Sequence, residues 1–348
     1  MKKKNYKNAA ILVLTLGFVL AYNFIAVSEP PADSKNPGKF VAISNSGEVV
    51  YSTDGIEWTK ANKLPDGVNL TGICYGNGKF VAIGNCKESF SEDGEQIIGK
   101  NIVEYSEDGI NWTAKTLPGE DWTGVCYGNG KFVAVSCKSD KAACSTDGIN
   151  WETNPLPLSP NEAELMECSG ISYGNGKFVA IITPNANTYS DNKKDDFKKI
   201  VYSADGINWK VTKLPTEALW SSICYGNGKF VVSAAGPNIA AYSEDGIKWK
   251  MTKFPVEALW SKVCYGNGKF VVSALGQDIA AYSEDGIKWI ETKIPISARS
   301  ITYGNGKFVA VAYERNSNKA AYSENGIDWT ETKMPNESSW TNFCYGGE

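Results

Sequence analysis

Residues 220–249 read WSSICYGNGKFVVSAAGPNIAAYSEDGIKW, and the fold is decided by how this stretch divides. It breaks into four short strands. Trp220 to Tyr225 is apolar and runs into Gly226-Asn227-Gly228, where Asn-Gly is a favoured hairpin centre because both residues tolerate positive φ. KFVVS follows, with Phe230 and Val232 on one face. AAYS around Tyr242 is the third strand, and it ends at Asp245-Gly246, a second tight-turn pair. The fourth strand carries Trp249 and stops at Pro255, because proline has no amide proton for a ladder.

The same order recurs along the chain. The phrase CYGNGKFVA spans Cys74 to Ala82 and Cys126 to Ala134, with variants centred on Phe178, Phe230, Phe270 and Phe308 and a truncated copy, PGKFVAIS, from Pro37. The phrase YSEDGIKW and its variants end at Trp58, Trp112, Trp151, Trp209, Trp249, Trp289 and Trp329. Four strands in about 40 residues match a propeller blade. One such unit cannot bury both its faces, whereas a closed ring gives each unit two neighbours. The chain ends support closure. Unit one lacks its first strand, and the chain finishes with Trp340-Thr-Asn-Phe-Cys-Tyr345-Gly, a first strand with nothing after it. The expected fold is all-β: a seven-bladed β-propeller of four-stranded blades over residues 37–348, closed by the C-terminal strand completing the first blade.

The SxDGxxW phrase resembles the Asp-box (BNR) motif of sialidase-like propellers, S-x-D-x-G-x-x-W. Ser52, Asp54, Gly55 and Trp58 match it, as do Ser106, Asp108, Gly109 and Trp112, with later copies at Asp147, Asp205, Asp245 and Asp285. The last copy has Asn325 in place of Asp, and every copy is one residue short between Asp and Gly. The resemblance implies a structural role for these residues, on the turn between third and fourth strands and away from an active face. Local chemistry agrees, since Ser and Asp accept backbone amides within turns and Trp buries a large apolar face. It does not imply sialidase activity. A sialidase clamps its substrate carboxylate with three arginines, and this chain has only Arg299 and Arg315. Fold likeness does not carry function with it.

Composition narrows the chemistry further. The 348 residues contain no histidine, which removes Ser-His-Asp and Cys-His catalysis, His-ligated zinc and His pH switches together. A net charge of -4 gives no reason to expect nucleic acid, which calls for a basic stripe. No cofactor and no metal site is implied, since no spacing gives a calcium loop of the EF-hand type. At the N-terminus Lys2, Lys3, Lys4 and Lys7 precede an uncharged run from Ala9 to Val27. Residues 1–28 read as a signal peptide or as a retained membrane anchor, and 29–36 as a linker. Either way the domain is expected outside the cytoplasm, and its contact with a membrane is through that segment alone.

Both tight turns of each unit lie on one face of the ring, so the second-to-third strand loops and the links between units lie on the other. Length variation concentrates there, at Gly84 to Asn101, Glu152 to Cys168 and Thr183 to Lys199. Loops on a rigid scaffold are the usual place for binding. The candidate ligand-binding residues on that face are Trp122, Trp220, Trp260 and Trp340, which lead the first strands and would stack on sugars if exposed or pack between blades if buried. Glu217 and Glu257 join them, from a duplicated P-x-E-A-L-W phrase. Five cysteines, Cys74, Cys126, Cys224, Cys264 and Cys344, share one repeat position and read as small apolar packing. Cys86, Cys137 and Cys168 map to the variable face, where a disulfide could form in an oxidising compartment. No catalytic constellation emerges. The expectation is a non-catalytic binding or scaffold propeller recognising a glycan or a surface protein, with a glycoside hydrolase using Asp and Glu alone as the alternative.

Overall fold

The computed structural model describes residues 38–62, 64, 67–90, 96–119, 121–136, 140–159, 166–184, 198–236 and 238–347. Residues 1–28, read above as a signal peptide or membrane anchor, residues 29–36, read as a linker, Cys137 and most of the 183–199 stretch lie outside them. Among the described residues every element is a β-strand. They form five four-stranded antiparallel sheets and one eight-stranded sheet. The eight-stranded sheet holds two copies of the four-strand unit, 219–253 and 258–293, joined through only Ala235↔Leu259 and Gly236↔Ala258.

Within a unit, burial falls from the inside outward. In unit five, Leu219–Gly226 leads. Lys229–Gly236 follows, with Phe230, Val231, Val232, Ser233 and Ala234 all buried. Ile239–Ser243 pairs next, and Lys250–Lys253 lies outermost and largely exposed. The second strand is buried on both faces because a neighbouring unit packs against each side, so it reads as a continuous apolar run rather than an alternation. The Asn of each Gly-Asn-Gly turn has φ between 42° and 48° (Asn77, Asn129, Asn175, Asn227, Asn267, Asn305), followed by a positive-φ glycine. That is the geometry for which Asn-Gly is selected.

The units interlock in cyclic order. The glycine that opens each of these turns receives the ring of the next unit's tyrosine: a Cβ on Gly226 would lie 2.0 Å from Tyr265 Cγ. The series continues through Gly266 with Tyr303 and Gly304 with Tyr345, and returns through Gly346 to Tyr75. Asn227 Nδ2 donates to Glu284 O of the following unit at 3.0 Å, and Asn305 Nδ2 likewise donates to Thr53 O, linking the last unit to the first. The closing strand, Trp340–Gly346, pairs antiparallel with Lys39–Ser44 in the register Lys39↔Gly346 to Ile43↔Asn342. The two chain ends therefore complete one sheet. Of the long stretches, Gly84 to Asn101 proves to be a hairpin extension, with Lys79–Phe90 and Gln96–Ser106 paired out to Phe90↔Gln96.

The box turns are built as the SxDG chemistry implies. In unit two Ser106 Oγ donates to Asp108 Oδ1 at 2.9 Å and accepts from Gly109 N at 2.8 Å. The amides of Ile110 and Asn111 both donate to Asp108 Oδ1 at 2.8 Å. The glycine is required twice over: its φ is 72°, and a Cβ would meet Val41 Cγ2 of the preceding unit at 2.7 Å. Burial acts to raise the Asp108 carboxyl, but the amide and side-chain hydrogen bonds outweigh it and hold it at about 2. An acid held below its unfolded value stabilises the fold above that value, about pH 4, and the contribution is lost as pH falls toward 2. Asp108→Ala is expected to lower stability by about 1 kcal/mol at pH 7 and by less near pH 2, read from urea midpoints at the two pH values.

Candidate functional site on the axis

Seven first strands line the centre of the molecule: Val68–Gly76, Trp122–Gly128, Met166–Gly174, Leu219–Gly226, Ala258–Gly266, Ala298–Gly304 and Trp340–Gly346. Each packs against the next, and the last against the first. Each also carries a register shift near its start, for instance between Leu70 and Gly72, Trp122 and Gly124, and Trp220 and Ser222. A bulge leaves an extra residue and re-aims its neighbours. At the extra position stand Thr71, Thr123, Ser169, Ser221, Ser261, Arg299 and Thr341. The threonine and serine hydroxyls among them stitch the inner ring together. Thr71 Oγ1 donates to Trp122 O at 2.6 Å, Ser169 Oγ to Trp220 O at 2.8 Å and Ser261 Oγ to Arg299 O at 2.9 Å.

The next residue in each strand faces the axis. Gly72, Gly124, Gly170, Ser222, Lys262, Ser300 and Asn342 all line a central cavity of about 170 Å³. On one side three consecutive strands carry glycine at this position, with Thr71, Thr123 and Ser169 beside it in the lining, while on the other Ser222, Lys262, Ser300 and Asn342 supply polar side chains. Lys262 is the one ionisable side chain of the lining. Burial lowers the pKa of its ammonium, and the nearby Arg299 guanidinium lowers it further. Arg299 also lies over the ring of Tyr313, 6.0 Å from its centroid, and that ring is 47% exposed.

The four leading tryptophans do not reach this cavity or the solvent. Trp122, Trp220, Trp260 and Trp340 are exposed by 1% or less. Trp260 packs on Phe254 at 4.7 Å and donates to Val256 O at 3.2 Å; Trp122 donates to Pro118 O at 3.1 Å. A ring buried to that degree offers no face for a sugar, so these indoles belong to the packing between units. Glu217 and Glu257 are exposed and outside the cavity lining, and Glu217 pairs with Lys198 at 3.4 Å. The structure therefore brings none of the six together at the axis. It assembles there instead a set that could be read only by aligning the repeats: in the extra and axial columns Arg299 and Lys262 are the sole charged residues.

The cysteines of the inner strands offer no nucleophile. Cys74, Cys126, Cys224, Cys264 and Cys344 are free, and burial pushes each thiol up, Cys224 to about 12. A protonated buried thiol is inert. Cys168 is disulfide-bonded. Among the described residues no group of acidic or cysteine side chains could hold a metal ion. A second cavity, about 290 Å³, lies beside the box of unit three and is lined by Lys131, Cys144 and Trp151. It opens where Cys144 replaces the tyrosine that other units carry before the box serine, as at Tyr202, Tyr242 and Tyr282.

One buried acid stands apart. Glu104, on the third strand of unit two opposite Ala82, is 1% exposed, and neither carboxyl oxygen has a hydrogen-bond partner. Burial raises its pKa to about 8. The corresponding residues of other units are Val50, Ala143, Val201 and Ala241, so the carboxyl occupies an apolar slot between units one and two.

No model of a known protein family matches the chain, and no curated protein matches it in sequence. Solved structures match it in fold. Virginiamycin B lyase from Staphylococcus aureus aligns with a TM-score of 0.62 at 16% identity, over 80% of this chain and 89% of its own. A streptogramin B lyase aligns with a TM-score of 0.63 at 12% identity, over 88% and 91%. YCF48 bound to a D1 peptide aligns with a TM-score of 0.52 at 13% identity, over 85% and 84%. At such identities the likeness is one of architecture, and the architecture is that of a β-propeller repeat protein.

Proposed function

We propose that this chain is an exported, seven-bladed propeller with Asp-box-type turns that binds a glycan or a protein without transforming it. The observation that carries this reading is the axial cavity, walled by all seven first strands and lined with hydroxyl, amide and ammonium groups. Seven blades follow if the eight-stranded sheet is counted as two units sharing a two-residue edge. The cavity lies at the start of the first strands, the end from which the unit-two hairpin extends. Ligand and long loop thus belong to one face, as expected of loops on a rigid scaffold. A disulfide at Cys168 fits an oxidising compartment and hence export. The hydrolase alternative requires two carboxylates a few ångströms apart across a substrate, and the cavity lining contains no carboxylate. Among known propellers, YCF48 bound to a D1 peptide is one that engages a polypeptide.

The test pairs a glycan array with a panel of purified surface proteins, using the full chain, alongside product analysis of every bound glycan. Binding of a defined ligand without product is expected, together with loss of binding when residues 86–100 are replaced by a short turn. Release of a cleaved glycan, or binding indifferent to that replacement, would overturn the reading.

A further inference from the structure

The axial cavity holds a positive charge with no acid to answer it. Lys262 makes no ion pair or hydrogen bond to a described residue, and the charge that acts on its ammonium is the like charge of Arg299. Two cations in neighbouring units repel each other, and the repulsion is stronger inside a cavity than in bulk water. Neither is needed by the fold. The lining position is Ser in units five and seven (Ser222, Ser300) and Gly in units two to four; the extra position is Thr or Ser everywhere except at Arg299. These residues therefore depart from the repeat at adjacent points of the ring, in the same direction of charge.

The groups around the ammonium are suited to an anion. Ser222 Oγ accepts from Val263 N at 3.2 Å, which leaves its own proton to give. Ser300 Oγ makes no hydrogen bond to a described residue and lines the same cavity. The opposite wall is Gly72, Gly124 and Gly170, which put no side chain opposite the ammonium. A cavity of about 170 Å³ admits a small head group rather than a whole oligomer.

We propose that the axial cavity takes an oxyanion head group, carboxylate or phosphate, held by the Lys262 ammonium and the Ser222 and Ser300 hydroxyls. This deepens the binding reading above, and rests on it, by giving the ligand its chemical class: an acidic glycan or a peptide presenting a carboxylate or a phosphate. Point charge plus hydroxyl donors is the arrangement that suits either oxyanion.

The experiment is calorimetric titration of the full chain at low salt with sodium glucuronate, glycylglycine, inorganic phosphate and, as neutral control, glucose. At least one anion is expected to bind at one site per chain and glucose not at all. Lys262→Ser repeats a residue native at Ser222 and Ser300, so the fold should be kept, as an unchanged melt will check; it is expected to weaken the anion roughly tenfold or more, the effect of losing a charge-assisted hydrogen bond. Lys262→Arg should retain binding. Binding of phosphate alone would assign a phosphate-bearing ligand, and of glucuronate or glycylglycine alone an acidic sugar or a peptide terminus. No binding by any anion, or equal binding by Lys262→Ser, would overturn the proposal. A neutral ligand found on the array and indifferent to Lys262→Ser would overturn it while leaving the wider binding reading in place.

Discussion

Deletion of residues 340–348 is expected to destroy the cooperative melt of the propeller near room temperature. The removed strand supplies every first-strand contact of unit one: the ladder from Lys39↔Gly346 to Ser44↔Trp340, the Tyr345 ring 4.9 Å from Phe40, and the buried Trp340 and Phe343. Loss of a large buried aromatic costs roughly 3–5 kcal/mol, and two are lost here. Their removal also bares Phe40 to Ile43, all fully buried, and leaves Gly304 without the ring that fills it. The combined loss is on the order of 10 kcal/mol, comparable with the whole stability of a typical domain. Differential scanning calorimetry of the full and truncated chains reads the effect directly. A truncated chain melting within a few degrees of the full one would mean that the ring does not depend on its closing strand.

Replacement of Glu104 by valine is expected to stabilise the protein at neutral pH by about 3 kcal/mol. The carboxyl is buried without a partner, and burial alone moves it from 4.5 to about 8. An acid whose folded value is raised favours folding in its protonated form. That contribution is complete below pH 4.5 and is lost progressively as pH rises toward 8. The wild-type chain should therefore weaken by about 1.4 kcal/mol per pH unit across that window, while Glu104→Val should not. Valine is native at two equivalent positions, Val50 and Val201, so the slot accommodates it. Urea midpoints at pH 5, 6, 7 and 8 separate the outcomes, since parallel curves for the two proteins would show that Glu104 finds a partner or water. Glu104→Gln removes the ionisation and keeps the shape, and should flatten the pH dependence with a smaller gain, because a buried amide still lacks partners.

Much of this architecture is local chemistry and was legible before any fold was known. The Asn-Gly turns have positive φ because their residues tolerate it, and the SxDG boxes close on their own serine and aspartate. Ring closure was legible from chain ends that each lack what the other supplies, and the ladder of Lys39–Ser44 with Trp340–Gly346 realises it. The site was not legible in the same way. In sequence Trp220 fits an exposed platform as well as a buried wedge, with packing the favoured reading, since the choice depends on how closely the neighbouring unit approaches. Lys262 and Ser222 differ in one column of a repeat, and only the bulge that turns that column to the axis makes the difference chemical.

The sequence by itself determined the period, the turns and the partner of the last strand, because those rest on backbone preferences and on strands that pair with neighbours of matching pattern. Tertiary structure alone decided which side chains meet at the axis, that four tryptophans are sealed away, and that Glu104 is left without a partner. Those outcomes depend on distances between units far apart in the chain, and no local pattern encodes such distances.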